Sequence, residues 1–222
     1  LFVSSICEYG NYLAIGCSPL SEVGTGVVYL WDRDSSVVTF SESYNWGDGR
    51  LQVLETVDGV LIGISSERTS VTSITNDRIT FRALSGGRAV KLMTIVSEGT
   101  ITTPILQRKW MYKGRLHFLM DITINGVRRS GVWSFGRSSP TAPFSLIFER
   151  PANNDTALAS NATLFGFAVV GDYTLIAYGT ASARTITKTN NSSTAYTATT
   201  SYWESTIQDE GDASKVKKLN RV

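Results

Sequence analysis

His117 is the only histidine in this 222-residue chain, so any chemistry that needs an imidazole rests on one ring. A single histidine cannot furnish a multi-histidine metal site, and it leaves one possible base for a Ser-His-Asp arrangement. Its setting, Arg115-Leu116-His117-Phe118-Leu119, is an apolar strand, which points to a hydrogen-bonded interior histidine in preference to a catalytic one. Carboxylates are the second source of chemistry, since paired Asp and Glu side chains cleave glycosidic bonds. Asp32, Asp34, Asp58, Asp77, Asp121, Asp155 and Asp172 are available. Most stand in turn-like contexts, where Asp serves the backbone through local hydrogen bonds. No catalytic, cofactor-binding or metal-ligating set is therefore assigned, and the chain reads as a non-enzyme.

Cys7 and Cys17 are the only cysteines. With Gly10-Asn11 as a two-residue hairpin turn, Tyr9 faces Tyr12 and Cys7 faces Ala14. Cys17 then lies three residues beyond the position a disulfide requires. Two free thiols are expected, as suits a reducing compartment or a particle assembled in the cytosol.

Contact chemistry has better candidates. Tyr44 and Trp46 lie in Ser43-Tyr44-Asn45-Trp46-Gly47-Asp48-Gly49-Arg50, which reads as a Gly-rich connection. Aromatics on a loop can stack on sugars or anchor a partner protein, and packing between neighbouring units is the competing reading. Lys215, Lys217 and Lys218, with Arg221, make the tail locally basic. A net charge of +2 is too small for a dedicated nucleic-acid surface, and strand-edge lysines that deter edge pairing explain the cluster more simply. Triplets of the Asn-x-Ser/Thr type at Asn154, Asn161, Asn190 and Asn191 follow from composition.

The elements that must position these residues are strands. The chain is rich in Thr, Ser, Val, Ile and Tyr and only 18% charged, and β-branched and aromatic residues suit a pleated surface. An apolar segment, a short Gly-containing turn and a strongly apolar strand recur four times. The turn glycines are Gly10, Gly59, Gly114 and Gly171, spaced by 49, 55 and 57 residues. A second element follows each hairpin: Gly26-Val27-Val28-Tyr29-Leu30-Trp31 resembles Gly131-Val132-Trp133-Ser134-Phe135, with Ile79-Thr80-Phe81-Arg82 between them. Further β-rich runs, Val37 to Ser43, Ala89 to Val96 and Phe144 to Glu149, close the units.

Each unit thus supplies about four strands in about 50 residues, the pattern of β-propeller blades, with kelch-type repeats nearest in length. A lone blade exposes two apolar faces, and only stacked neighbours cover them. The expected fold is all-β: a β-propeller with about four visible blades near residues 1–50, 51–100, 101–152 and 153–205, forming part of a larger propeller. Residues 206–222 would begin a following β-domain or supply a closing strand. Leu13-Ala14-Ile15 and Val60-Leu61-Ile62 are expected on inner strands, and Ala181 to Thr200 reads as a polar hairpin. A two-sheet sandwich is the competing architecture, but it has no reason to repeat one hairpin at a fixed interval. Trp31-Asp32 imitates the end of a WD repeat once, Gly86-Gly87 a kelch repeat once, and the Asp-box of sialidase-type propellers is absent. No apolar run reaches the 18 or more residues of a membrane span. The start, Leu1-Phe2-Val3, lacks an initiator Met and a signal peptide's basic region, and the chain reads as an internal fragment.

Ser201-Tyr202-Trp203-Glu204-Ser205-Thr206-Ile207-Gln208-Asp209-Glu210-Gly211-Asp212, continuing to Leu219, resembles a segment of tailed-phage virion proteins. There an aromatic-Glu-Ser strand and an Asp-x-Gly turn lead into a Lys/Arg-rich strand, where a propeller-like region hands over to a further β-domain. The likeness covers about 20 residues. It implies a structural component of the neck, tail or tail tip, located in a virion assembled in the host cytoplasm. It further implies a symmetric homo-oligomer whose partners are other virion proteins and a host surface glycan or receptor. No cofactor is implied. A carbohydrate-binding or glycan-cleaving propeller and a cellular protein-interaction scaffold are the alternatives.

Overall fold

The computed structural model describes residues 1–20, 24–34, 42–67, 78–98, 109–152, 158, 162–171, 173–180 and 182–190. The chain divides into two units, Leu1–Asn191 and Ser192–Val222, and the second lies outside the described residues. Among the described residues 76% are in strands and none is in a helix, so the all-β expectation holds.

The strands form four antiparallel sheets in chain order. Sheet 1 contains β1 (Phe2–Tyr9), β2 (Tyr12–Ser18), β3 (Thr25–Trp31) and β4 (Glu42–Asp48). Sheet 2 contains β5 (Arg50–Val57), β6 (Val60–Glu67), β7 (Arg78–Ser85) and β8 (Arg88–Val96). Sheet 3 contains β9 (Lys109–Tyr112), β10 (Arg115–Ile124), β11 (Val127–Gly136) and β12 (Ser145–Pro151). Sheet 4 contains β13 (Thr163–Val170), β14 (Tyr173–Gly179) and β15 (Arg184–Asn190). Every strand pairs with its neighbour in sequence, so each sheet is a simple meander.

Turn chemistry sets this local order. Asp58-Gly59 and Lys113-Gly114 both take positive φ, at 50° and 74° and at 51° and 72°. These are the left-handed pairs whose twist matches the flanking strands. The expected register follows: Tyr9 faces Tyr12 and Cys7 faces Ala14, and Cys7 and Cys17 are buried free thiols.

The end of the first unit differs from expectation. The run Val37 to Ser43 was expected to close the first unit, but the strand that does so is Glu42–Asp48. Residues 35–41 lie outside the described residues. Ser43–Asp48 is therefore strand, not connection, because Gly47 at φ 87° and a register shift between Gly26 and Val27 let it pair along β3. Leu13-Ala14-Ile15 and Val60-Leu61-Ile62 lie on inner strands as expected, β2 and β6, where a neighbour on each side satisfies both backbone edges. Of the polar hairpin expected over Ala181 to Thr200, Arg184–Asn190 is a strand, the third of sheet 4, and residues 191–200 lie outside the described residues.

Apolar clusters join the sheets in series. Ala14, Val28, Leu30 and Trp46 of sheet 1 meet Leu51, Leu54 and Leu61 of sheet 2. Val53, Ile62, Ile64 and Phe81 on the other face of sheet 2 meet Leu116, Phe118, Trp133 and Phe135 of sheet 3. Leu119 and Val132 on the far face of sheet 3 meet Leu164 and Ile176 of sheet 4. Phe81 and Phe135 stack with ring centroids 4.6 Å apart, and each is wholly buried, worth about 2 kcal/mol or more apiece. Sheets 2 and 3 thus bury apolar side chains on both faces, whereas a two-sheet sandwich leaves one face of each sheet in water. A register shift between Leu51 and Val53 lets β5 serve two clusters from residues two apart. Similar shifts occur in β1, between Val3 and Ser5, and in β13, between Leu164 and Gly166.

Candidate functional site

Of the residues singled out for contact, Trp46 is fully buried. Its ring lies on β4 against the backbone of Gly63, where a Cβ would run into it. Packing between units therefore accounts for Trp46, and the exposed reading is corrected: the missing side chain at Gly63 makes the room for the indole. Tyr44 is half-buried on the same strand and gives its hydroxyl proton to Glu42. That bond pushes the phenol up to about 12, so Tyr44 is an ordinary donor near neutral pH. Lys215, Lys217 and Lys218 lie outside the described residues.

Polar side chains gather instead at three places among the described residues. The first is where the leading strands come together. Lys109 at the start of β9 donates to the Ile6 carbonyl at 2.9 Å and to the Leu54 carbonyl, and pairs with the Glu55 carboxylate at 3.0 Å. Ser5 accepts from the Leu54 amide at 3.0 Å, and the Thr56 hydroxyl donates to the Glu8 carbonyl at 2.5 Å. These groups stitch β1, β5 and β9, three leading strands from three sheets.

The second lies between sheets 3 and 4. Asp121 is buried and takes charge-assisted bonds from Arg128, with Nη2 to Oδ2 at 2.5 Å, and from the Ser130 hydroxyl. Arg128 also donates to the Leu158 and Ala162 carbonyls at 3.0 Å each. Asp121 was grouped with the turn aspartates, yet it sits mid-strand on β10. A buried charge is costly unless it is paired and hydrogen-bonded, and Arg128, seven residues away across the hairpin, supplies such a partner.

The third crosses the whole of sheet 3. Trp110 pairs with His117, His117 with Ser134, and Ser134 with Ile147. Directly paired residues share a face, so these four side chains form one row across β9 to β12. Tyr112, paired with Arg115, lies beside them. The Tyr112 ring meets the His117 ring edge-on at 5.8 Å. Glu149 accepts from the Ser134 hydroxyl at 2.5 Å and lies 3.9 Å from His117 Nε2. Arg115 donates to Ser134 Oγ at 2.8 Å and to the Ser145 carbonyl at 2.8 Å.

Ser134, His117 and Glu149 together invite a triad reading, and the bonding pattern argues otherwise. A nucleophilic serine gives its proton to the imidazole, which the carboxylate orients from its other nitrogen. Here Ser134 gives its proton to Glu149 and is wholly buried, while His117 Nδ1 is engaged by the Arg115 carbonyl at 3.1 Å. Because a carbonyl only accepts, Nδ1 carries the hydrogen and Nε2 presents a lone pair. Burial pushes the imidazole below its ordinary value, so the ring is neutral near pH 7. His117 is therefore the hydrogen-bonded histidine expected, though on a face that reaches solvent. Trp110 and Tyr112 flank it at 49% and 41% exposure. Alternation in Lys109-Trp110-Met111-Tyr112 could have shown that the two rings share a face, but not that they stay exposed.

Among the described residues no group of three or more His, Cys, Asp or Glu could hold a metal ion, and no helix is long and apolar enough to cross a membrane. No family model matches the chain, and neither a curated protein nor a solved structure is significantly similar to it.

Proposed function

We propose that this chain is a run of β-propeller blades that acts by contact and not by catalysis, in the neck, tail or tail tip of a tailed-phage virion. The single observation that carries the architectural part is the reach of Lys109 from sheet 3 to the backbone of sheet 1. Sheets packed flat stand about 10 Å apart face to face. Sheet 1 and sheet 3, with sheet 2 between them, would then be too far apart for one lysine side chain to bridge. Their leading edges must converge while their outer edges splay, as blades do around an axis. Serial meanders with both faces covered are the sequence-local counterpart of that geometry.

The reading as a contact module is supported by how the polar clusters are used. Asp121, Arg128, Arg115 and Ser134 hold strands and sheets together, and exposed aromatic area lies beside them. A closed, rigid β-architecture suits a particle that must persist without repair. The virion setting rests on the resemblance of Ser201–Leu219, and with it come other virion proteins, a symmetric ring and a host glycan or receptor as partners.

Two measurements test this. Antibody against the chain should label one end of purified phage particles, and label confined to the host fraction would remove the virion setting. A cryo-EM map of the protein should show radially arranged sheets around an axis lined by β1, β5, β9 and β13. A map with paired flat sheets would remove the propeller.

A further inference from the structure

We propose that the exposed stretch of sheet 3 around His117, which shares a face with Leu119 and Val132, is a saccharide-contact site, with Trp110 and Tyr112 as the stacking platform and His117 with Glu149 as a pair of hydrogen-bond acceptors. This deepens the contact reading above by naming a ligand class and a place for it.

The acceptor pair is the unusual feature. His117 Nε2 presents a lone pair toward Glu149 Oε1 across 3.9 Å. Two acceptors cannot satisfy one another, so the gap calls for a donor. Adjacent hydroxyls on a sugar ring fit this need, one proton going to the imidazole and one to the carboxylate. The rest of the row fits the remainder of the sugar. Trp110 and Tyr112 are two residues apart on one strand face, so their rings stand about 7 Å apart along the strand. Exposed aromatic faces take the apolar C–H surface of a pyranose while its hydroxyls remain solvated at the rim.

Charge selects among donor-rich ligands. An organic cation would also suit aromatic rings and a carboxylate. However, Lys113 Nζ already lies 5.2 Å from the Tyr112 ring centroid, and the Arg115 guanidinium lies beside Ser134. These positive charges oppose a second cation. Glu149 opposes an acidic glycan. A neutral oligosaccharide is the class left.

The test is a glycan array spanning neutral and sialylated structures, followed by titration of the best neutral binder while tryptophan fluorescence is read. Wild-type protein should bind neutral glycans. Trp110→Ala and Tyr112→Ala should each weaken the affinity roughly tenfold or more, equivalent to about 1.4 kcal/mol. Both positions are exposed, so their melting temperatures should match wild type. Glu149→Gln, which keeps the shape and removes the charge, should weaken binding several-fold. Absence of any binding by folded wild-type protein would overturn the proposal, as would binding only to sialylated structures or binding indifferent to Trp110 and Tyr112. Particle labelling is unaffected by any of these results, so the saccharide site can fail while the virion reading stands.

Discussion

Lys109 Nζ lies 2.9 Å from the carbonyl oxygen of Ile6, joining residues 103 positions apart on sheets that are not neighbours in the series. No local propensity produces such a contact. It exists because the leading strands β1, β5 and β9 come together, and the lysine is held in place by Glu55 on the sheet between.

Lys109→Met should therefore destabilise the fold by about 2 kcal/mol, through the loss of its bonds to two carbonyls and of its ion pair with the mostly buried Glu55 carboxylate. Urea titration measures this. Glu55→Gln should cost less, because the carbonyl bonds survive. A Lys109→Met protein as stable as wild type would mean that the leading edges are held by packing alone.

Gly63→Ala should destabilise by about 2 kcal/mol or more, since the new methyl group enters the space of the Trp46 ring, and overpacked cores relax only by straining their surroundings. A smaller residue at position 46 should recover part of the loss. Equal melting temperatures for Gly63→Ala and wild type would contradict the packing described.

Asp121→Asn removes the carboxylate that pairs with Arg128 between sheets and should cost about 3 kcal/mol. Replacing both residues by apolar side chains should recover much of it, because the desolvation cost of both ions disappears. Hydrogen exchange should show the loss first at β10 and β11. A neutral effect of the single change would deny the pair its structural role.

Stability should depend on pH through His117. Burial, the largest cause, pushes its pKa below the ordinary 6.5, and the Arg115 charge adds to this, while the Arg115 carbonyl and Glu149 oppose it. Between the depressed value and 6.5 the unfolded chain binds more protons than the folded one, so stability rises with pH across that window and falls as acid is added. Urea midpoints at successive pH values, compared with those of His117→Asn, isolate this contribution. Parallel profiles for the two proteins would rule it out.

The cysteines should be inert in the native protein. Burial drives the Cys7 thiol up to about 12, with Lys109 and Thr56 opposing and Glu55 reinforcing, and burial raises Cys17 as well. The thiolate is the reactive form, so an aromatic disulfide reagent at pH 8 should label neither thiol until the protein unfolds. Rapid native labelling would show that these sites open readily.

The sequence by itself determined the strand class, the hairpin turns and much of the register. These depend on neighbours in the chain: glycines at positive φ, β-branched runs and alternation act over a few residues. Cys7 opposite Ala14 follows from counting outward from Gly10-Asn11. Tertiary structure decided what each face meets. Trp46 reads as a loop contact or as packing between units until Gly63, on another sheet, supplies the space for its ring. Asp121 reads as one more turn aspartate until Arg128 and Ser130 surround it on a buried face. Trp110 and Tyr112 read as part of a repeated hairpin, yet their side chains stay exposed beside His117 and Glu149. Burial and partnership across sheets depend on how twisted layers converge, a long-range property that no window of sequence contains.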